Sequence, residues 1–149
     1  MRIDLIIGAV AAVIVILGVL YIVYKKVPKK LKVDQFVDDW KQLQGYCKDK
    51  ATWPEAVQAA DKLLDKALKK RRFKGKRMGE RMVSAQRMIT DNDRLWFAHN
   101  LAKKLITDPA LKLKEADVKT ALVGFRQALK DLGALQVPET PEQTDEGKK

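Results

Sequence analysis

The chain has 149 residues, with 30 Lys or Arg against 19 Asp or Glu, and a formal charge of +11. A single Cys excludes an internal disulfide, and one Cys with one His cannot supply the usual nitrogen and sulfur ligand sets of a metal site. Few β-branched residues fall outside one apolar stretch, while Ala, Leu, Lys and Gln are frequent, which points to an all-α chain.

That apolar stretch is Leu5 to Tyr24, twenty residues without charge or Pro. At about 1.5 Å rise per residue it spans roughly 30 Å as a helix, the thickness of a bilayer's hydrocarbon core. It is apolar on every side, and a helix of that kind needs lipid or a large protein interior around it. The residues beyond it, about 125 of them, suit one domain, too small and too charged to enclose it. Tyr21 and Tyr24 close the run, where amphipathic rings favour the membrane interface.

Arg2 and Asp4 cancel before the run, whereas Lys25, Lys26, Lys29, Lys30 and Lys32 follow it within eight residues. Lys and Arg stay on the cytoplasmic side, so the expected topology is single-pass in the cell membrane, N-terminus outside and the C-terminal domain cytoplasmic. The Tyr-Ile-Val-Tyr-Lys-Lys flank has no small-residue cleavage site, so the segment reads as a signal anchor that is not removed. Gly8 and Ala12 form a small-xxx-small pair, a spacing that also arises by chance in a Gly/Ala/Val-rich run. The leaflet beside the domain is anionic, which gives the positive balance a membrane explanation.

Residues 27–33 form a basic linker in which Pro28 ends or bends the helix. A helix is predicted over Asp34 to Lys48, with Phe36, Trp40, Leu43 and Cys47 on one face. Thr52-Trp53-Pro54-Glu55 then has the form of a capping box with Pro support, opening a helix that runs to Arg71. Val57, Ala60, Leu63, Leu64, Ala67 and Leu68 form its buried face. Asp61 and Asp65 are expected on its flank, in ordinary surface pairing with Lys62, Lys66 and Lys69.

The segment Lys69 to Arg77 holds seven basic residues in nine, with Gly75 marking a turn. Met78 to Met88 reads as a short helix, with Met78, Met82, Ala85 and Ile89 inward. Thr90 to Asp93 caps the next, which reaches Ile106 with Leu95, Ala98, His99, Ala102, Leu105 and Ile106 inside. Asp108-Pro109 stops it. A last helix covers Lys114 to Leu132, with Val118, Ala121, Leu122, Phe125, Leu129 and Leu132 in register and Gly133 as C-cap. The expected organisation is therefore an anchor over 1–26, a linker over 27–33, an antiparallel bundle of four or five helices over 34–135, and a disordered tail over 136–149.

From Trp40 to Leu135 the chain resembles a group of uncharacterised membrane-anchored helical proteins of small-genome bacteria. The residues that carry the likeness are the Trp-Pro-Glu-Ala-Val stretch from Trp53 through Asp65, Phe73 to Met82, Leu95 to His99, and Leu132-Gly133. In that group the Ala-His pair often leads into an Arg-Asn pair and a further His. That pattern is similar to higher-eukaryote and prokaryote nucleotide-binding (HEPN) domains, helical bundles that are often dimeric and often ribonucleases. The resemblance implies an Arg and a His one turn apart at a dimer cleft. Here the Arg-Asn positions hold Ala102 and Lys103, and the His position holds Thr107. A rival register offers Arg94 and His99, the sole imidazole. His99 falls on an apolar face, where a buried, hydrogen-bonded His is the plainer reading.

No Walker loop surrounds Gly75 or Gly79, and Ser84, the sole serine, lacks a nucleophile elbow. The basic residues Lys69, Lys70, Arg71, Arg72, Lys74, Lys76 and Arg77 are candidates for anionic lipid or nucleic acid, with Phe73 placed to stack a base or dip into an interface. Cations near a helix C-terminus are also favoured by its dipole. Trp40, Trp53 and Trp96 read as core. The expected protein is a non-enzymatic, membrane-anchored binding or assembly module with no cofactor, metal or small-molecule substrate. Its partners would be membrane lipids and a protein or second copy. A membrane-tethered nucleic-acid binder, or a degenerate HEPN-like ribonuclease module, is the alternative.

Overall fold

The computed structural model describes residues 2–27 and 30–136. The expectations for Pro28, Lys29 and the tail beyond Gln136 lie outside them. The described residues are helical without strands, and they separate into two compact units, divided after Lys30.

The first unit is helix α1, Arg2–Lys26. Its 25 residues give a length of about 37 Å. Its mean hydropathy reaches 3.0, and none of its apolar side chains is buried within the protein. It is long and apolar enough to cross a membrane.

The second unit holds α2 (Val33–Gly45), α3 (Trp53–Lys70), α4 (Met78–Ala85), α5 (Asn92–Thr107) and α6 (Glu115–Asp131). Helix α3 is its centre: α2, α4, α5 and α6 all pack on it, and α5 and α6 pack on each other. Its sequence explains this position. Ala56, Val57, Ala60, Leu63, Leu64, Ala67 and Leu68 are all buried. The three alanines let neighbouring backbones come close, and the leucines fill the space between them. Phe36 from α2, Met82 from α4, Leu95 and Leu105 from α5, and Phe125 and Leu129 from α6 complete the core.

Most boundaries fall within a few residues of the predicted ones, and the differences have local causes. A 3₁₀ turn, Lys50–Thr52, precedes α3 and is capped by Asp49, whose carboxylate accepts the Ala51 N–H at 3.0 Å. That turn swings the Thr52 hydroxyl backwards, where it donates to the Tyr46 carbonyl at 2.6 Å and the Asp49 carbonyl at 3.0 Å. The expected Thr52–Glu55 capping box does not form, although Pro54 does sit in the first turn. Asp91 caps α5 as expected, accepting the Arg94 N–H at 3.0 Å. The α6 terminus closes in a Schellman motif on Gly133, whose φ is 75°. Ile106, expected inside, is 66% exposed. Its neighbour Leu105 takes the inward direction, and Leu101, one turn earlier, is the further buried residue on that face.

Candidate functional site

The Lys69 to Arg77 cluster begins on the last turn of α3 and continues as a loop from Arg71 to Arg77. Helix α3 ends in a Schellman motif in which the Arg72 N–H donates to Lys69 and the Phe73 N–H to Leu68. Gly normally occupies the left-handed position of that motif, and here it is Arg72, with φ of 61°. Phe73 then turns inward and packs against the core. Phe73 is half-buried there, and its ring helps to pin the loop.

Arg81, buried at 7% exposure, fastens the far side. Its Nη1 donates to the carbonyls of Gly75 at 2.9 Å and Lys76 at 3.2 Å. Its Nε donates to Asp65 at 2.9 Å, which ties the loop to α3. The Ser84 hydroxyl donates to the Lys74 carbonyl at 2.7 Å, and the Glu80 carboxylate accepts the Lys76 N–H at 2.8 Å. Gly75 has no alternative here: at φ of 149° a Cβ would lie 2.7 Å from the Arg81 backbone nitrogen.

The backbone is thus held from both ends while most of the side chains stay free. Lys69 pairs with Asp65 at 2.8 Å, and Lys70 lies over the Phe36 ring, 5.6 Å from its centroid. Arg71, Arg72, Lys74, Lys76 and Arg77 enter no ion pair among the described residues. Five positive groups on a fixed loop, without acidic partners, are suited to phosphate oxygens.

Asp65 makes the expected pair with Lys69, but both Asp61 and Asp65 also reach inward. Asp65 reaches Arg81, and the Asp61 carboxylate lies 2.8 Å from His99 Nδ1. Burial acts to raise the Asp65 carboxyl, but the hydrogen bonds from Lys69 and Arg81 and their positive charges outweigh it and hold the carboxyl below its ordinary range. A four-residue spacing on α3 thus connects it to α4 through one acid and to α5 through the other. The sequence signal was partial: both acids flank an otherwise apolar stripe, but their partners are distant in sequence.

His99 is 7% exposed and stacks edge-on against Trp96 with centroids 6.1 Å apart. Arg94 is exposed, 3.4 Å from Asp91, and its backbone lies against Gly124 of α6. The two candidates of the rival catalytic register therefore serve separate local contacts. Trp40 is buried, Trp53 is half-buried and donates to the Cys47 carbonyl at 3.1 Å, and Trp96 packs beside the core. Tyr21, Tyr24, Lys25 and Lys26 lie exposed at the end of α1, and Lys30 is exposed beyond it. No group of three or more His, Cys, Asp or Glu fit to hold a metal occurs among the described residues.

No protein-family model, curated protein or solved structure matches the chain.

Proposed function

We propose that the chain is a single-pass, membrane-anchored, non-enzymatic binding or assembly module whose helical bundle lies in the cytoplasm. In this reading α1 enters the membrane from the cytoplasmic side. The loop from Arg71 to Arg77 engages the anionic headgroups of the same leaflet, and the remaining surface is available to a protein partner or second copy. The observation that carries it is the contrast within the loop, whose backbone is tied at Arg72, Lys74, Gly75 and Lys76 while its cations enter no ion pair among the described residues. Fixing the backbone beforehand lowers the ordering cost of binding.

The test uses the full chain in nanodiscs of neutral or phosphatidylglycerol-rich lipid, with amide exchange read over residues 71–77. Slower exchange in anionic discs, weakened by salt and absent when Arg71, Arg72, Lys74 and Arg77 become Gln, supports the reading. Equal exchange in both discs contradicts it.

Nucleic acid is the second reading, favoured by the same unpaired cations. It predicts salt-dependent RNA binding by the same residues. Phe73, half-buried against the core, leaves only part of its ring as the aromatic platform that single-stranded recognition commonly uses. Ribonuclease turnover lost on His99→Ala would overturn the non-enzymatic assignment.

A further inference from the structure

Helices α2 and α6 both pack on α3 but leave a groove between themselves. Its floor is apolar: Trp40 and Leu43 from one side, Leu122 and Val123 from the other. Its rims carry Lys41, Lys119, Arg126 and Lys130. Val123 is 49% exposed and Leu122 half-buried, while Trp40 and Leu43 lie deeper between the helices. The Trp40 indole N–H is buried and has no hydrogen-bond acceptor among the described residues.

The chain leaves the described fold at this groove, since Leu135 and Gln136 line its end. The next residues read Val137-Pro138-Glu139-Thr140-Pro141-Glu142, followed by Gln143, Thr144, Asp145 and Glu146. Pro-x-x-Pro segments favour the polyproline II helix, whose three-residue turn puts Pro138 and Pro141 on one face. Such a face packs on aromatic-lined grooves at low ordering cost.

We infer that this groove is the docking site for the chain's own Val137 to Glu142 segment. Three observations converge on that occupant. The accessible floor is aliphatic at Leu122 and Val123, with the Trp40 indole beneath it, which suits the proline rings. The rims are positive, whereas the segment and its continuation carry Glu139, Glu142, Asp145 and Glu146. The length also fits. From Lys130 to Lys119 α6 rises about 17 Å, and six residues of polyproline II cover about 19 Å. Glu139 and Glu142 then pass the rim cations in turn, and the free backbone carbonyls of the segment are the acceptors on offer to the Trp40 N–H. That N–H is covered by the described residues, so docking parts the walls around Trp40. This inference is independent of what the basic loop binds.

Cys47, the sole cysteine, lines the far end of the groove and reports on its occupancy. The experiment measures alkylation of Cys47 in the full chain in detergent micelles. A chain ending at Gln136 should react about five-fold faster than the intact chain, because tethering holds the segment at a high effective concentration. The Pro138→Ala/Pro141→Ala and Glu139→Gln/Glu142→Gln variants should fall between the two. A synthetic peptide of residues 137–149 should slow the shortened chain again. Equal rates for the intact and shortened chains would overturn the inference. Protection that grows with protein concentration would overturn it too, since the occupant would then be a second copy.

Discussion

The Asp61 carboxylate and His99 Nδ1 meet at 2.8 Å across the α3–α5 interface, with side chains 15% and 9% exposed. The sole imidazole of the chain is therefore part of the packing of two helices. Replacing one partner leaves the other buried without its hydrogen bond. Asp61→Ala or His99→Ala should each cost about 1–3 kcal/mol, and the double variant less than the sum of the two. Thermal unfolding of the four proteins of this cycle, followed by circular dichroism, checks it. Strict additivity would show that the pair contributes nothing as a pair.

Asp65 predicts an acid limb in the stability profile. Its folded carboxyl titrates below the ordinary range, so its contribution is fully present above the unfolded value of about 3.9 and is lost as pH falls through the lower, folded value. Asp65→Asn should therefore be less stable at neutral pH, by about 3 kcal/mol given the buried guanidinium it abandons. Its stability should also depend less on pH below about 4. Denaturation midpoints at several pH values test both parts, and parallel pH profiles for the two proteins would exclude the assignment.

At the α5–α6 crossing, a Cβ on Gly124 would stand 2.9 Å from the Arg94 carbonyl oxygen and 3.2 Å from its carbonyl carbon. Both are backbone atoms and cannot rotate away. Gly124→Ala should cost about 1–3 kcal/mol, although Ala is the better helix former. An unchanged melting temperature would mean that the two helices are further apart.

Arg72 should separate stability from binding. Its left-handed backbone favours Gly, so Arg72→Gly should leave the protein unchanged or stabilise it by up to about 1 kcal/mol. The same change removes one of the free cations and should weaken the response to anionic lipid. A variant that is both less stable and equally responsive would contradict the reading of this residue.

The sequence carried the period of each helix, the buried face of α3, the Asp91 cap and the Gly133 terminus, because these are local patterns with local causes. It did not reveal that α3 is the central helix. That follows from how far neighbouring helices approach its alanines, a property of assembled surfaces. Thr52 misled because a 3₁₀ turn competes for its hydroxyl. The expected Asp65–Lys69 pair forms, but the further partners of Asp61 and Asp65, His99 and Arg81, were not visible because they lie 38 and 16 residues away in sequence. The basic cluster was plain from composition. Its fixed backbone was not, since Arg81 and Ser84 reach the loop from the following helix.

The proposed role of the helical unit depends most on which side of the membrane it occupies. Trypsin added to intact spheroplasts and to inside-out vesicles gives the direct measurement, with the full chain detected through a tag before Arg2 and another after Lys149. Five lysines after the apolar run predict that the C-terminal unit survives in spheroplasts and is digested in inside-out vesicles. Digestion of that unit from the outside of intact spheroplasts would contradict the orientation, and with it the attraction of the Arg71 to Arg77 loop to the cytoplasmic leaflet.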